Sequence, residues 1–297
     1  MPDSYNEVED INYFNNPAIF YPYEPGSVFK PITMAAALDK EKVTPSATYE
    51  DTGEVKIGPY KIRNFDKKAH GIKTMTEVLE LSLNTGAMFA AEQVGKEDFV
   101  KYVKNFGFGQ LTGITLDTEV SGNISSLDKK GDIYYLNASF GQGITATPLQ
   151  LATAFSALAN GGKLIKPYIV SEIVKPDGTL VKTWPEVIRQ VISPKTSNLI
   201  SGMLVSVVEK GYDKKAKVPG YYLAGKTGTA QIAAKGGYSG EVIHTFAGYG
   251  PVSNPRFVIL LRLDKPQGVA FAADTLSPLF RQLANFLINY YQIPPDY

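Results

Sequence analysis

Residues 24–38 have the sequence Glu-Pro-Gly-Ser-Val-Phe-Lys-Pro-Ile-Thr-Met-Ala-Ala-Ala-Leu, a turn-forming start followed by an apolar run. The Ala, Met and Leu residues after Pro31 are strong helix formers, so Ser27 is predicted at or next to a helix N-terminus. Lys30 then lies one helical turn further on. Residues three apart on a helix have Cβ atoms roughly 5–6 Å apart, so the Lys30 amine can reach the Ser27 hydroxyl. The pair is a candidate nucleophile beside a candidate base.

The Ser-x-x-Lys spacing alone also fits a purely structural role. An N-cap serine followed by a solvated lysine has the same spacing. The chain contains a second example, Ser126-Leu-Asp-Lys129, in a polar cluster that predicts a turn. Further motifs are therefore needed before Ser27 is assigned a catalytic role.

The composition narrows the possible functions. The chain has 297 residues, 44% of them hydrophobic and 20% charged, which is typical of a globular protein with a large core. Its 30 basic and 29 acidic residues nearly balance, which argues against a nucleic-acid partner. There is no cysteine, and the two histidines, His70 and His244, are far apart in sequence. Thiol catalysis is excluded, a zinc site or a Ser-His-Asp triad is disfavoured, and no cofactor or metal is expected.

A second candidate element lies between two predicted helices. Thr74 followed by Glu77 is a capping-box signal for a helix that should stop near residues 82–86, and a second helix is expected from Ala87 to Val94. The tripeptide Ser82-Leu-Asn84 between them can present its side chains into a cleft. Residues 1–20 are expected to be an irregular lead-in, residues 44–71 short strands and turns, and residues 117–132 a polar loop. Further helices are predicted over 99–106, 148–158, 195–210 and 276–291.

The last quarter of the chain predicts antiparallel strands over 221–224, 245–249 and 257–263. The only Lys-Thr-Gly sequence, residues 226–228, is expected on an edge strand. Alternation would place Lys226 and Gly228 on one side and Thr227 and Thr229 on the other, and Gly228 would let a ligand backbone lie close. Such a strand can bind a peptide by β-augmentation and hold its carboxylate with Lys226 and the threonine hydroxyls.

The same region also matches a nucleotide-binding pattern. Residues 220–227 fit G-x-x-x-x-G-K-[ST], and residues 257–264 are an apolar run that ends in Asp. A phosphate-binding loop needs small residues and a helix that starts at the lysine. Here the loop positions are Tyr-Tyr-Leu-Ala, and another glycine, Gly228, follows Thr227 closely. The context disfavours nucleotide binding.

Taken together, the three motifs resemble those of a known family. Ser27-x-x-Lys30, Ser82-x-Asn84 and Lys226-Thr-Gly228 match, in order and spacing, the S-x-x-K, S-x-N and K-T-G motifs of penicillin-binding proteins and serine β-lactamases. The flanking sequences over 23–31, 139–152 and 225–231 resemble the transpeptidase domain of monofunctional, class B penicillin-binding proteins. The resemblance runs from about residue 16 to residue 295, and residues 23–27 are more similar to the cell-division type than to the elongation type.

The resemblance implies a fold and a reaction. The fold class is α+β, in layers, like that of β-lactamases and D,D-transpeptidases: an antiparallel sheet flanked by helices, plus a helical subdomain, with residues 1–297 forming one transpeptidase domain that lacks its N-terminal strands. The reaction is cross-linking of peptidoglycan stem peptides ending in D-Ala-D-Ala through an acyl-enzyme, with β-lactams as covalent inhibitors. The implied catalytic residues are Ser27, Lys30, Ser82 and Lys226. The implied substrate-binding residues are Asn84, Thr227, Gly228 and Thr229, and the implied oxyanion hole is formed by the backbone N–H groups of Ser27 and Thr229.

Other functions remain open at this point. A β-lactamase or D,D-carboxypeptidase would use the same motifs with a carboxylate that activates water, but the nearest candidates, Glu77 and Glu80, are predicted on a helix face. A β-lactam sensor domain would share the acylation step. A non-enzymatic scaffold of the division machinery would not need the intact motifs.

The resemblance also implies a location and partners. The expected location is the extracytoplasmic face of a bacterial cell membrane, with an anchor upstream, and the expected partners of the full-length protein are a SEDS-type glycosyltransferase and other division proteins. In the family two of five sheet strands precede the S-x-x-K helix, but only 26 residues precede Ser27 here. We therefore expect a C-terminal portion of a longer protein, in which the strand over 257–263 has an unpaired apolar edge prone to self-association.

Overall fold

A computed structural model describes residues 14–234 and 237–297. Its helices are α1 (Pro17–Phe20), α2 (Lys30–Asp39), α3 (Met75–Glu80), α4 (Asn84–Val94), α5 (Lys96–Asn105), α6 (Asp132–Ala138), α7 (Pro148–Ala159), α8 (Pro194–Lys210) and α9 (Ala272–Tyr290). Its strands are β1 (Thr48–Asp51), β2 (Glu54–Ile57), β3 (Tyr60–Arg63), β4 (Gly71–Thr74), β5 (Lys163–Lys166), β6 (Glu172–Val174), β7 (Leu180–Lys182), β8 (Glu186–Gln190), β9 (Ala224–Ala234), β10 (Gly237–Gly250) and β11 (Phe257–Asp264).

Helix α2 lies at the centre of the molecule. Every residue from Lys30 to Leu38 is buried, because α2 packs against α4 on one side and α8 on another. A single 3₁₀ turn, Gly26–Phe29, leads into it, and Pro31 stands in its first turn as the sequence predicts. The serine of the first motif therefore lies just before a helix that is buried from Lys30 to Leu38.

The main sheet is antiparallel, with strand order β11-β10-β9. On one face Phe246 packs against Phe280 of α9, with ring centroids 4.4 Å apart. On the other face the hydroxyl of Tyr249 is hydrogen-bonded to that of Ser201 in α8 at 2.7 Å. Helices thus cover both faces of the sheet, which confirms the predicted layered α+β class.

The edges of the main sheet concern two expectations: the edge position of the Lys-Thr-Gly strand and the unpaired edge of the strand over 257–263. Strand β9, which contains the Lys-Thr-Gly sequence, lies at one edge, as predicted. Strand β11 lies at the other, and among the described residues no strand pairs with its outer side. Self-association through that edge stays a prediction. Within the same residues no helix is long and apolar enough to cross a membrane.

Several predicted boundaries are corrected. Residues 221–223 are not strand, because Tyr221 and Tyr222 bond to the C-terminal segment at Ile293 and Asp296 instead. Helix α4 begins at Asn84, three residues before the predicted start. Helix α6, which begins at the end of the predicted 117–132 loop, was not predicted. Of the expected lead-in over residues 1–20, residues 1–13 lie outside the described part, and Pro17–Phe20 is a helical turn.

Candidate active site

The first and third motifs meet because strand β9 runs alongside the Ser27 turn. A methyl group added at Gly228 would lie 2.9 Å from the carbonyl oxygen of Pro25 and 3.1 Å from the backbone nitrogen of Val28. On the other side of the contact, a methyl group at Gly26 would lie 3.2 Å from Cβ of Ala230. Only glycine allows the two backbones to approach this closely, so the glycine of the Lys-Thr-Gly sequence sets the width of the site.

A second segment supports the Ser27 turn from behind. The N–H of Gly26 donates to the carbonyl of Gly141 at 3.0 Å, and the hydroxyl of Thr33 donates to the carbonyl of Ser139 at 2.7 Å. Gly26 itself has a φ of +58°, which favours glycine. The sequence block over 139–152 that carries part of the resemblance therefore has a structural role, since it fixes the turn that presents Ser27.

Lys30 joins the first motif to the second. Its side chain is 1% exposed, and Nζ donates to the carbonyl oxygen of Ser82 at 2.5 Å and to the Ser82 hydroxyl at 3.3 Å. Among the described residues no hydrogen bond joins Lys30 to the hydroxyl of Ser27. Lys30 follows Ser27 by one helical turn, the spacing at which side chains on a helix are neighbours.

The electrostatics of the site favour a neutral Lys30. Burial lowers the pKa of Lys30 well below its ordinary value, and the nearby Lys226 lowers it further. Lys226 is also 1% exposed, and burial lowers its pKa, while the charge of Asp213 acts in the opposite direction. An amine is a base only when it is deprotonated, so the two buried lysines together make Lys30 suited to accept a proton.

Ser82 is held in an unusual backbone conformation. Its φ is +54°, in the left-handed region that non-glycine residues seldom adopt. Its N–H donates to the carbonyl of Leu79, and the N–H of Leu83 donates to that of Val78. This geometry turns the Ser82 carbonyl and hydroxyl toward Lys30. Backbone strain of this kind, on the order of 1–3 kcal/mol, is common at functional sites.

Strand alternation places the residues of the third motif as predicted. Gly228 faces the Ser27 turn, whereas Thr227 contacts Asp213, which follows α8, and Thr229 contacts Ala272 at the start of α9. The hydroxyl of Thr229 accepts a hydrogen bond from the N–H of Ala272 at 3.2 Å. Within the described part of the chain no group accepts the proton of this hydroxyl, which leaves it for a ligand. Lys226 Nζ donates to the carbonyl of Thr227 at 3.2 Å.

A buried acid engages Thr227, one of the predicted substrate contacts. The hydroxyl of Thr227 donates to the carboxyl group of Asp213 at 2.8 Å, and its backbone N–H donates to the same group at 2.8 Å. Asp213 is fully buried. In this structure the hydroxyl proton of Thr227 supports β9, so its predicted role in holding a substrate carboxylate stays a prediction. Asp213 was missed because nothing in its local sequence signals a contact with residue 227.

Asn84 lies beside the site and is partly engaged. Its side-chain Nδ2 donates to the carbonyl of Arg63 at 2.9 Å. The amide oxygen has no hydrogen-bond partner among the described residues, so it is the atom that remains for a ligand. Its backbone N–H donates to the side chain of Asn64, which lies in the segment predicted to form short strands and turns.

The two candidate water-activating carboxylates point elsewhere. Glu77 completes the capping box of α3 by accepting a hydrogen bond from the N–H of Thr74 at 2.8 Å, as the sequence predicts. Glu80 accepts a hydrogen bond from the hydroxyl of Ser206 in α8. Both are therefore structural, which agrees with their predicted positions on the helix face.

The site so defined combines a candidate serine nucleophile, a buried lysine and a β-strand edge. A family profile described as "Penicillin binding protein transpeptidase domain" matches residues 2–285. The chain belongs to this family.

Individual relatives agree with the family assignment. Stage V sporulation protein D of Bacillus subtilis is 38% identical over 283 residues, which are 94% of this chain and 44% of that protein. The Peptidoglycan D,D-transpeptidase FtsI homolog of Mesostigma viride is 32% identical over 316 residues, covering 96% of this chain and 52% of that protein. The chain thus spans about half the length of these relatives or less.

The fold is also that of solved structures. Penicillin binding protein 3 of Mycobacterium tuberculosis, solved in complex with ampicillin, superposes with a TM-score of 0.89 at 32% identity. The match covers 97% of this chain and 67% of that one. The predicted β-lactamase and transpeptidase fold is confirmed.

Proposed function

We propose that this chain is a serine D,D-transpeptidase domain that cross-links peptidoglycan stem peptides and is acylated by penicillins. The observation that carries the proposal is Lys30: a buried amine with a lowered pKa, one helical turn from Ser27 and hydrogen-bonded to Ser82. The name of the Mesostigma viride relative and the ampicillin complex of the Mycobacterium tuberculosis protein support the reaction and the inhibitor class.

Acylation begins at the hydroxyl of Ser27. As its oxygen attacks the carbonyl carbon between the two terminal D-alanines, its proton passes to neutral Lys30, and a tetrahedral oxyanion forms. The C–N bond then breaks. The leaving nitrogen takes a proton from the Ser82 hydroxyl, which recovers one from Lys30 along the hydrogen bond between them. D-alanine leaves as a neutral amine, and the rest of the peptide remains as an ester on Ser27.

The backbone N–H groups of Ser27 and Thr229 are assigned to the oxyanion. Ser27 lies in the first turn of a helical segment, where N–H groups have no partner within the helix. Thr229 lies on β9 directly after Gly228, which touches the Ser27 turn. Each oxyanion donor in a hydrolase of known mechanism is worth roughly 3–4 kcal/mol in the transition state.

Transfer to an acceptor completes the cycle. An amine of a second stem peptide attacks the ester, gives its proton to Lys30 by way of Ser82, and Ser27 regains its proton as the ester bond breaks. Lys226 and the hydroxyl of Thr229 are assigned to the substrate carboxylate, and the amide oxygen of Asn84 to a substrate N–H. Because Glu77 and Glu80 are engaged elsewhere, transfer to an amine is favoured over hydrolysis by a β-lactamase mechanism.

The biological setting is proposed from the relatives. They are named for sporulation and for FtsI, which supports a role in cell-wall synthesis during division or a related process. We place the catalytic domain on the extracytoplasmic side of the membrane, where its substrate lies. A SEDS-type glycosyltransferase is the partner proposed for the full-length protein.

Incubation with a D-Ala-D-Ala stem pentapeptide and an excess of glycine tests the proposed function. Mass spectrometry should detect free D-alanine and a peptide in which glycine replaces the terminal residue, and Ser27→Ala should form neither. Release of D-alanine with only the hydrolysed peptide would assign a carboxypeptidase instead. No product from the wild-type chain, when it is folded by circular dichroism, would contradict the proposal.

A further inference from the structure

We infer that Asn64, outside the three motifs, is a positioning residue that fixes the Ser82 loop and so controls acylation; this inference rests on the proposed function. Asn64 follows β3 and is 3% exposed. Its amide oxygen accepts hydrogen bonds from the N–H groups of Asn84 at 2.9 Å and Thr85 at 3.3 Å. A side chain from another segment therefore caps the first turn of α4.

Helix α4 has no cap of its own. The residue at its N-cap position is Leu83, whose side chain cannot accept a hydrogen bond. The first N–H groups of a helix have no partner within the helix and need one from elsewhere. Asn64 supplies it from 20 residues away in the chain. The start of α4 at Asn84 is thus determined by Asn64.

The orientation of Asn64 is fixed by a buried acid. Nδ2 donates to both carboxyl oxygens of Asp51, at 3.0 and 2.8 Å, and Asp51 is 1% exposed. The same carboxyl group accepts hydrogen bonds from the hydroxyl of Thr85 at 2.7 Å and the N–H of His70 at 3.1 Å. Since Asp51 only accepts, the NH₂ of Asn64 must face it, and the amide oxygen must face α4.

The capped turn is continuous with the loop that holds Ser82. Helix α3 ends at Glu80 and α4 begins at Asn84, so the connection between them has three residues. One end is tied to α3 by the N–H groups of Ser82 and Leu83, and the other is tied to Asn64. Loss of Asn64 frees the second end, and the carbonyl and hydroxyl of Ser82 then move relative to Lys30. The larger defect is expected in the acylation step, with a smaller one in the first encounter with penicillin, because the backbone of Asn84 is freed as well.

Four variants separate this role from general stability. Asn64→Ala removes the cap, and Asn64→Asp places an acceptor against Asp51. The double variant Asp51→Asn/Asn64→Asp restores the donor–acceptor pair between positions 51 and 64, and the second carboxylate oxygen at position 64 still caps α4. Its NH₂ at position 51 also faces the N–H of His70, which loses its acceptor. The matched control is Ser193→Ala, which removes the N-cap of α8, a helix cap away from the Ser82 loop.

Stopped-flow labelling with a fluorescent penicillin gives the dissociation constant of the initial complex and the acylation rate constant separately. We expect both Asn64 single variants to lower the rate constant at least about tenfold, since misplacement of a catalytic group by about 1 Å can cost a hundredfold. The dissociation constant should change less than the rate constant does, because the Asn84 side chain, assigned to a substrate N–H, keeps its own hydrogen bond to the carbonyl of Arg63. The double variant should recover part of the loss, and Ser193→Ala should keep the wild-type rate.

The outcomes for the wild type and for the Asn64 variants distinguish failure of the proposed function from failure of this inference alone. If the wild type is not acylated, the proposed function fails, and this inference fails with it. If the wild type is acylated but Asn64→Asp and Asn64→Ala react at its rate, or slow only as much as Ser193→Ala does, the inference alone is overturned. Amide exchange over residues 82–86 supplies a readout that does not depend on acylation: it should rise in Asn64→Ala and not in Ser193→Ala.

Discussion

Gly228→Ala tests whether the contact between β9 and the Ser27 turn sets the geometry of the site. The added methyl group would lie 2.9 Å from the carbonyl oxygen of Pro25 and 3.1 Å from the backbone nitrogen of Val28, whereas ordinary contact begins at 3.4 Å. Both neighbours are backbone atoms, which cannot rotate away. Strand and turn must therefore separate by up to about 0.5 Å.

The consequence for the oxyanion hole follows from hydrogen-bond geometry. Its donors, Ser27 N–H on the turn and Thr229 N–H on β9, need to lie about 2.7–3.1 Å from the developing oxyanion, and loss of one donor costs about 10²–10³ in rate. A separation of 0.5 Å takes one donor out of that range. We expect acylation of Gly228→Ala to be about thirtyfold slower than that of the wild type. This is a smaller decrease than the roughly 10²–10³ that complete loss of one donor costs.

Stability should change little in this variant. Gly228 does not have a positive φ, so alanine adopts its backbone conformation without strain. Replacing such a glycine stabilises by about 0.4–1 kcal/mol through the unfolded chain, which offsets part of the steric cost. The matched control is Gly240→Ala on β10, where an added methyl group meets no atom within 4 Å. Labelling by fluorescent penicillin at equal rates in Gly228→Ala, Gly240→Ala and wild type would refute the reasoning.

Two further predictions concern the lysine pair and the support of β9. In Lys226→Met the pKa of Lys30 should rise, because a neighbouring cation is lost. The acid limb of the pH profile of the acylation rate, measured at saturating penicillin, should then move to higher pH. An unchanged acid limb would show that Lys226 does not affect the pKa of Lys30. In Thr227→Val the buried Asp213 loses a donor, so urea unfolding should show a loss of about 1–3 kcal/mol with nearly normal acylation. Normal stability with slow acylation would instead return the Thr227 hydroxyl to substrate binding.

Much of the site could be predicted from the sequence because its parts are local. Ser27 and Lys30 are predicted to be neighbours because they are three residues apart on a helix. The capping box is predicted because Glu77 follows Thr74 by three residues. The side of β9 on which Gly228 lies follows from the alternation of residues along a strand. Each depends only on the geometry of one helix or one strand.

The remaining features depend on contacts between distant segments. The hydrogen bond from Lys30 to Ser82 joins residues 52 apart, and Asn64 reaches Asn84 across 20 residues. The boundary of α4 was predicted too late because its cap comes from Asn64 and not from its own sequence. Likewise, the role of Thr227 depends on Asp213, 14 residues earlier in the chain, which only the folded structure brings into contact.

The acyl-enzyme on Ser27 is the central claim, and intact-mass spectrometry after incubation with benzylpenicillin tests it most directly. The account predicts a mass increase equal to one penicillin, located by peptide mapping on the Ser27 peptide, absent from Ser27→Ala and Lys30→Ala, and lost only slowly after free drug is removed. Rapid loss with release of hydrolysed drug would indicate a β-lactamase. A wild-type chain without the adduct, or an adduct that persists in Ser27→Ala, would contradict the account.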